Sequence, residues 1–181
     1  AKCKELVGFG ADVNTKDKDG YTALMLACRH NHGDIARYLV DHSADINIQN
    51  KFGDTALTLA SDVGKGHLSY LWKDRDIAGY LIQKGADHNM PPLHAATFCG
   101  DKAKCEELVS SGTDVNTKDE HDRTALMIAC RYCLVDIVGY LVDQGADIRI
   151  QNHLGETAET LASDFGHGHI VNYLQEKSSF V

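Results

Sequence analysis

The residues with the most recognisable spacing for chemistry are Cys130 and Cys133, which form a C-x-x-C pair. A structural zinc site would need a second such pair, and a redox site would need a strand-to-helix turn that lowers the pKa of a thiol. Neither accompanies this pair in the sequence. Cys28 stands at the position that matches Cys130 in a repeated segment, within a helix rich in small residues. We therefore interpret these thiols as core and loop residues, since a buried cysteine packs as a small apolar side chain.

Two histidine clusters are the next candidates, "RHNH" from Arg29 to His32 and "GHGH" from Gly166 to His169. A metal site needs converging ligands and further groups that orient them, and neither cluster shows such a set. No nucleophile, base and orienting group stand at a recognisable spacing, and "GFG" and "GKGH" are too short for phosphate-binding loops. The sequence therefore predicts structural or surface histidines in a chain that is not an enzyme and holds no metal or cofactor.

Charge and hydropathy exclude two further classes of protein. The 181 residues carry 26 acidic and 18 basic side chains, a formal net charge of −8, and the basic residues are scattered. Nucleic-acid binding in general depends on a basic surface that displaces counterions, so we expect no nucleic-acid partner. No apolar window approaches the roughly 18 residues of a membrane span, and "AKCKELVGFG" does not resemble a signal peptide. Six cysteines without a disulfide framework are typical of free thiols in a reducing compartment. We expect an intracellular monomer, cytoplasmic and/or nuclear.

Repeated segments decide which elements position these side chains. The dipeptide Thr-Ala opens a helical pattern at four places, spaced by 33, 69 and 33 residues. These four are Thr22, Thr55, Thr124 and Thr157. A variant, "PPLHAA" from Pro91, divides the 69 into 36 and 33. A longer period of 102 residues is also present, because residues 1–67 and 103–169 are identical at 43 of 67 positions. Three short repeats thus make one long repeat.

Each short repeat predicts two helices. Thr22 is expected to cap the first helix, and Leu24 and Leu26 to contribute its apolar face. The second helix begins at Asp34, where an acidic side chain suits the helix dipole. Glycine stands where that helix would end in a left-handed residue at Gly85, Gly112 and Gly145. Ser43 takes that place in the first copy, which predicts a weaker cap there.

"GYTALMLACRHNHGDIARYLVDHSADIN" and "PPLHAATFCGDKAKCEELVSSGTDVN" resemble ankyrin repeats, whose pattern is roughly G-x-T-P-L-H-x-A-A, a second helix, and then G-A-D-V-N. The resemblance implies an all-α solenoid of antiparallel helix pairs, with β-hairpin or loop fingers that project from it. It covers a single domain over residues 1–181. The expected divisions are a half repeat over 1–16 and five repeats over about 17–49, 50–89, 90–118, 119–151 and 152–181.

The sequence departs from the family pattern in that four repeats have Thr-Ala where the family has Thr-Pro, and at two further positions. Asp122 replaces the glycine of a finger, and aspartate tolerates left-handed backbone better than most residues. Glu159 falls where Leu24, Leu57 and Leu126 are apolar. It belongs to the last repeat, from Asn152 onward, which we predict to be the C-terminal capping repeat with a polar outer face.

Two seams interrupt the repeats, near residues 73–76 and near 88–91. At the first, "HLSYLWKD" and "DIAGYLIQKGAD" both resemble second helices, with no first helix between them; at the second, a finger is missing. The seams are explained by a genuine long helix and clipped finger, by a natural insertion with a compensating deletion, or by residues omitted from the sequence, which we favour. Ala1 matches mid-repeat Ala103, so we also expect further chain before it.

The resemblance implies a non-enzymatic module that holds a protein or peptide partner on a concave face made of first helices and fingers. The first helices would contribute Arg29, His30, Asp62, Thr97, Phe98, Arg131, Tyr132 and Asp164. The fingers would contribute Lys18, Tyr21, Phe52, Asp54, Arg123, Leu154 and Glu156. The alternatives are a structural spacer and a targeting arm of a larger enzyme or channel.

Three asparagines, Asn14, Asn47 and Asn116, each follow an aspartate and an apolar residue. They resemble ankyrin asparagines that an oxygen-dependent hydroxylase modifies in animal cells. The competing interpretation is that each side chain bonds the backbone of its own turn, as asparagine commonly does.

Overall fold

The computed structural model describes residues 2–62 and 75–178. The chain divides into two compact units, residues 1–88 (unit 1) and 89–181 (unit 2). The described part is helical and contains no β-strand, which confirms the all-α fold class. The fingers in these ranges are accordingly turns, without hairpin strands.

Unit 1 contains five described helices. They are α1 (Lys2–Gly8), α2 (Ala23–Arg29), α3 (Gly33–Asp41), α4 (Ala56–Asp62) and α5 (Arg75–Gln83). The first helices α2 and α4 pack on each other, and each also packs on a second helix of this unit, α2 on α3 and α4 on α5.

Unit 2 repeats the arrangement with three helix pairs. They are α6 (Pro92–Cys99) with α7 (Lys102–Ser110), α8 (Ala125–Arg131) with α9 (Val135–Asp143), and α10 (Ala158–Asp164) with α11 (Gly168–Ser178). The first helices form one row, α6 on α8 and α8 on α10, while the second helices α7 and α9 pack beside them.

Threonine caps begin the first helices, as the sequence predicts. The hydroxyl of Thr22 accepts a hydrogen bond from the N–H of Met25 at 3.3 Å, and Thr124 accepts one from Met127 at 3.4 Å. At α10, Thr157 and Thr160 satisfy each other's backbone N–H groups in a capping box. These contacts satisfy N–H groups that a short helix would otherwise leave without a partner.

Small and branched apolar residues make the core. In unit 1, Leu24, Met25, Ala27 and Cys28 of α2 are all buried, and Leu39 of α3 joins them. Full burial of a leucine contributes about 2 kcal/mol relative to exposure, so the stability of each repeat depends on a few such residues. The equivalent core of unit 2 includes Leu93, Leu126, Met127, Leu141, Ile170 and Leu174.

The structure differs from the sequence expectation at Leu26, which remains 40% exposed. The apolar face of α2 is formed by Leu24 with Met25 and Cys28, because the helix is short and turns this face toward α3 and α4. In α1 no residue is buried, and Leu6 is 52% exposed.

The two seams in the repeat pattern lie before α5 and between α5 and α6. The segment "HLSYLWKD", which includes residues 73 and 74 of the first seam, lies outside the described residues. α5 does form where a second helix was predicted from Asp76. At the second seam, residues 84–91 connect α5 to α6 without a finger, whereas residues 42–55 connect α3 to α4 through one. The origin of the seams stays a prediction.

The polar residue that replaces leucine in α10 has a polar partner; that this repeat is a C-terminal cap stays a prediction. Glu159 is half-buried in α10, and its Oε1 accepts a hydrogen bond from Nε2 of Gln175 in α11 at 2.7 Å. Leu24 and Leu126, at the same position of internal repeats, are fully enclosed. A charged side chain with a polar partner therefore replaces the apolar contact in the last helix pair.

A residue with positive φ follows four of the described second helices, among them Ser43 (φ +67°), Gly112 (φ +99°) and Gly145 (φ +86°). The same holds at Gly85, with φ +94°. A side chain in this conformation costs about 1–2 kcal/mol, and glycine avoids the cost. Ser43 and Gly145 stand 102 residues apart at the same place in the long repeat.

We expect Ser43→Gly to raise the free energy of unfolding by about 1 kcal/mol, and Gly145→Ser to lower it by a similar amount. Urea denaturation of both variants and of the parent protein measures the change. Ser43→Ala is the matched control, because alanine keeps the strained left-handed backbone. A gain in the alanine variant equal to that of the glycine variant would contradict the explanation.

Candidate functional site

Four fingers lie in the described residues, and one side chain closes each. In the first finger, Oδ1 of Asp17 accepts hydrogen bonds from the N–H groups of Asp19 and Tyr21, both at 2.9 Å. The same closure, at 2.8 to 2.9 Å, is made by Asn50, Asp119 and Asn152. The closing residue therefore fixes the positions from which the finger side chains project.

Three of the expected partner-binding residues of unit 1 form one cluster. The ring centroids of Tyr21 and Phe52 are 6.3 Å apart. Arg29, at the end of α2, donates from Nη1 to the hydroxyl of Tyr21 at 3.3 Å, and its Cζ lies 5.7 Å from the Tyr21 ring centroid. Phe52 is 70% exposed. The cluster joins a cation, a phenol and an exposed aromatic ring across two neighbouring fingers and one helix.

The other expected residues of unit 1 surround this cluster or fall outside the description. Lys18 and His30 are exposed. Asp54 is half-buried, and its Oδ2 accepts a hydrogen bond from Nδ2 of Asn50 at 3.1 Å. Asp62 ends α4, and its side chain lies outside the described part of the chain.

The first helices of unit 2 present a row of aromatic side chains. Phe98 and Tyr132 meet edge to face, with ring centroids 5.3 Å apart and planes at 84°. Next to Tyr132, the guanidinium carbon of Arg131 lies 4.9 Å from the Phe165 ring centroid. All four side chains are half-buried, and Asp164 beside them is exposed. These two contacts link side chains of three successive repeats.

The fingers of unit 2 are more strongly paired than those of unit 1. Nε and Nη2 of Arg123 both lie 2.8 Å from Oδ2 of Asp119. Glu156 is half-buried and accepts a hydrogen bond from Nδ2 of Asn152 at 2.7 Å. Leu154 stays 69% exposed at the finger tip.

The Asp119 carboxylate is held ionised by its surroundings. Burial alone would raise its pKa, but hydrogen bonds from the Arg123 side chain and from the N–H groups of Arg123 and His121 outweigh burial. The pKa of Asp119 is therefore below its ordinary value. Arg123 is accordingly committed to this ion pair within its own finger.

Thr97 is placed differently from the sequence expectation. It is fully buried in α6, with its hydroxyl 3.5 Å from Sγ of Cys105. Thr97 occupies the position of Cys28 and Cys130, which are buried as well. α6 has two candidate pairs of small residues, Ala95 with Ala96 and Ala96 with Thr97, and the second pair is the one that matches Ala27 with Cys28. Phe98 is the residue that matches Arg29 and Arg131.

The three asparagines singled out in the sequence bridge successive turns. Oδ1 of Asn116 accepts from the N–H of Asp147 at 2.8 Å, and its Nδ2 donates to the carbonyl of Gly145 at 3.4 Å. Asn14 makes the same pair of contacts with Asp45 and Ser43, at 2.8 and 3.4 Å. Asn47 does so with the corresponding residues Asp87 and Gly85, at 3.0 and 3.4 Å. The carboxamides thus have a structural role, since each forms hydrogen bonds with the backbone of the next turn and not with that of its own turn. Hydroxylation of these asparagines stays a prediction.

The cysteines and histidines are arranged as side chains of a packed protein. Burial raises the pKa of Cys28 and of Cys130 to about 12, which disfavours the reactive thiolate. Sγ of Cys133 lies 3.6 Å from Nε2 of His169. Within residues 2–62 and 75–178, no three His, Cys, Asp or Glu side chains converge as a metal site would require. None of the described helices has the length and apolar character needed to span a bilayer.

A family model described as ankyrin repeats (three copies) matches residues 1–92, 67–152 and 93–181. The chain belongs to the ankyrin repeat family. This confirms the resemblance carried by the Thr-Ala-Leu and Gly-Ala-Asp segments. The family pattern also accounts for His94, the histidine of its Leu-His pair. His94 is fully buried, its Nε2 lies 2.7 Å from the carbonyl oxygen of Arg123, and burial lowers its pKa, so it acts here as a neutral structural side chain.

The chain is similar to parts of longer proteins. A protein of Danio rerio named putative palmitoyltransferase ZDHHC13 is 30% identical over 195 residues, which cover 89% of this chain and 30% of that protein. Putative ankyrin repeat protein FPV219 of fowlpox virus is 42% identical over 36% of this chain and 15% of its own length. Mouse ankyrin repeat domain-containing protein 63 is 30% identical over 61% of this chain and 29% of its own length. The chain thus spans less than a third of each of these relatives.

Sequence reasoning missed the residues that close the ankyrin fingers. Asp17, Asn50, Asp119 and Asn152 recur at one place in the repeat, and that recurrence was the available signal. It also missed the ion pair of Asp119 with Arg123. The two residues are four positions apart, and a finger turn, not a helix, brings their side chains together.

Replacement of Asn116 tests the bridge between successive ankyrin turns. We expect Asn116→Ala to lower the free energy of unfolding by about 1–2 kcal/mol, because the N–H of Asp147 and the carbonyl of Gly145 lose their partners. Denaturant unfolding measures the loss. Asn172→Ala, at an exposed position of α11, is the control and should change stability by less than about 0.5 kcal/mol. Equal losses in the two variants would contradict the role of the bridge.

Replacement of Asp119 tests the charged closure in unit 2. Asn50 and Asn152 show that asparagine can close a finger, so Asp119→Asn should keep the turn and lose the ion pair, at a cost of about 1–2 kcal/mol near neutral pH. Because the folded-state pKa of Asp119 is depressed, its contribution is present above the unfolded pKa of about 4 and disappears as the pH falls through the folded value. Urea unfolding from pH 7 to pH 3 should show the difference between parent and variant shrinking below about pH 4. A difference that does not vary with pH would contradict this.

Proposed function

We propose that this ankyrin repeat chain is a protein-interaction module that holds a protein or peptide partner on the first-helix and finger surfaces of its units. The observation that carries the proposal is the row formed by Phe98, Tyr132, Arg131 and Phe165. Aromatic and arginine side chains dominate the binding energy of protein interfaces. Their backbone positions lie at the ends of well-packed helices, so little conformational entropy is lost on binding.

The first test removes the centre of this row. Arg131→Ala combined with Tyr132→Ala should weaken capture of the native partner at least tenfold, because both side chains are expected anchors. We expect a loss of about 1–2 kcal/mol in folding stability, since one ring pair and one cation–ring contact also disappear. Quantitative pull-down with mass spectrometry, followed by binding titration of the purified partner, measures the effect. Arg149→Ala, at an exposed position outside the row, is the control. Unchanged affinity in the double variant would exclude this surface.

A second candidate function is a targeting arm within a larger enzyme. The observation that favours it is the relative of Danio rerio, whose printed name is that of a palmitoyltransferase and of which this chain matches 30%. In that case the repeats would bind the substrate protein, and a separate part of the same polypeptide would act on it. The test is to sequence the complete transcript that encodes these residues and to assay its product for acyl transfer. A transcript that encodes ankyrin repeats alone would exclude this candidate.

A further inference from the structure

We propose that one face of unit 1 binds a partner segment in which carboxylates accompany an apolar side chain. The face consists of Lys18, Tyr21, Arg29, Lys51 and Phe52, and is called the unit 1 finger face below. This inference rests on the proposed function and adds the chemistry of the partner.

Arg29 is prepared for a carboxylate. Its hydrogen bond to Tyr21 occupies one of five N–H donors of the guanidinium, and its contact with the Tyr21 ring restricts the long side chain. A guanidinium binds a carboxylate through two parallel hydrogen bonds, a geometry that lysine cannot offer. Because Arg29 is exposed and already held, a carboxylate that binds it loses less ordering free energy than with a freely moving arginine.

Phe52 supplies the apolar part of the face. It is 70% exposed, and its ring lies 6.3 Å from that of Tyr21. Burial of an exposed aromatic side chain is favourable, so a partner that covers this ring gains binding free energy by removing it from water. An apolar side chain of the partner beside its carboxylate would cover Phe52 and Tyr21 together.

This face carries three cations. Lys18, Arg29 and Lys51 are exposed, and none forms an ion pair with a residue in the described ranges. Two carboxylates of these fingers accept hydrogen bonds from within their own finger. Asp17 accepts two backbone N–H groups, and Asp54 accepts from the Asn50 side chain.

The long repeat provides an internal comparison. Residues 16–21 and 49–54 with Arg29 carry four basic and three acidic side chains. The equivalent residues of unit 2, 118–123 and 151–156 with Arg131, carry three basic and four acidic side chains.

Single positions show where the two copies diverge. Lys18 is replaced by Glu120, Tyr21 by Arg123, Lys51 by His153 and Phe52 by Leu154. Arg123 is bound to Asp119 and Lys118 lies 3.4 Å from Asp122. The same frame is thus cationic and open in unit 1 and internally paired in unit 2.

The net charge of −8 does not oppose an acidic partner at contact distance. The screening length at physiological ionic strength is about 8 Å, so exposed charges beyond that distance contribute little. Local cations therefore decide the preference, and the net charge affects mainly the rate of long-range approach.

The test uses three fluorescein-labelled peptides of equal length, built from Ser-Glu-Leu, Ser-Gln-Leu and Ser-Lys-Leu repeats. We expect the glutamate peptide to bind the whole chain at least tenfold more tightly than the others by fluorescence anisotropy, with affinity falling as salt rises. The double variant Lys18→Glu and Tyr21→Arg gives the first finger the residues that unit 2 carries at these positions. It should lower the affinity for the glutamate peptide about tenfold without unfolding the chain, because the same frame accepts those residues in unit 2.

Lys2→Gln is the control, because it changes the net charge by the same single unit at an exposed residue of α1. It should leave the affinity within a factor of two. Equal affinity for all three peptides, no binding of any of them, tighter binding of the lysine peptide, or an unaffected double variant would each overturn the inference. If one of these results is obtained while capture of the native partner still depends on Arg131 and Tyr132, only the proposed binding of carboxylates by unit 1 is excluded. Loss of that dependence would instead remove the proposed surface of unit 2.

Discussion

The hydrogen bonds that asparagine side chains make across successive turns hold each unit in register. Asn14, Asn47 and Asn116 each pair their carboxamide with the donor and the acceptor that the next turn presents. The described helices have seven to eleven residues, too few to be stable alone in water, so their stability comes from stacking on neighbours. Stacking buries apolar surface but does not fix how far one repeat is shifted or rotated relative to the next. The carboxamide contacts are directional and do fix it. Every surface built from several repeats depends on this register.

The duplicated frame of 102 residues separates structure from recognition. Positions shared by the two copies are mainly those that stack, cap or close turns, such as Thr22 and Thr124, or Cys28 and Cys130. Several positions that differ lie at the fingers and at the ends of the first helices. Arg29 and Arg131 are identical in sequence, yet one contacts a tyrosine of its finger and the other a phenylalanine of the next repeat. The surroundings of a retained residue can therefore change its use.

Much of the fold could be predicted because it follows from local rules that recur. The threonine caps and the left-handed Gly85, Gly112 and Gly145 follow from backbone requirements of single turns, and the structure confirms them. The candidate surface was less accessible. Thr97 was expected on it because counting along one helix does not reveal which small residue faces inward. The contact of Phe98 with Tyr132 joins residues of different repeats and depends on side-chain rotamers, which no sequence pattern records.

The deep burial of the thiols has a consequence for how motion in each unit could be followed. Cys28 in unit 1 and Cys105 and Cys130 in unit 2 are enclosed by the stacked helices, and burial raises the pKa of each. A reagent that modifies thiolates can reach them only while the surrounding helices are apart. The rate at which these thiols are modified would then report how often each unit opens locally. No added label is needed, because the cysteines belong to the chain itself.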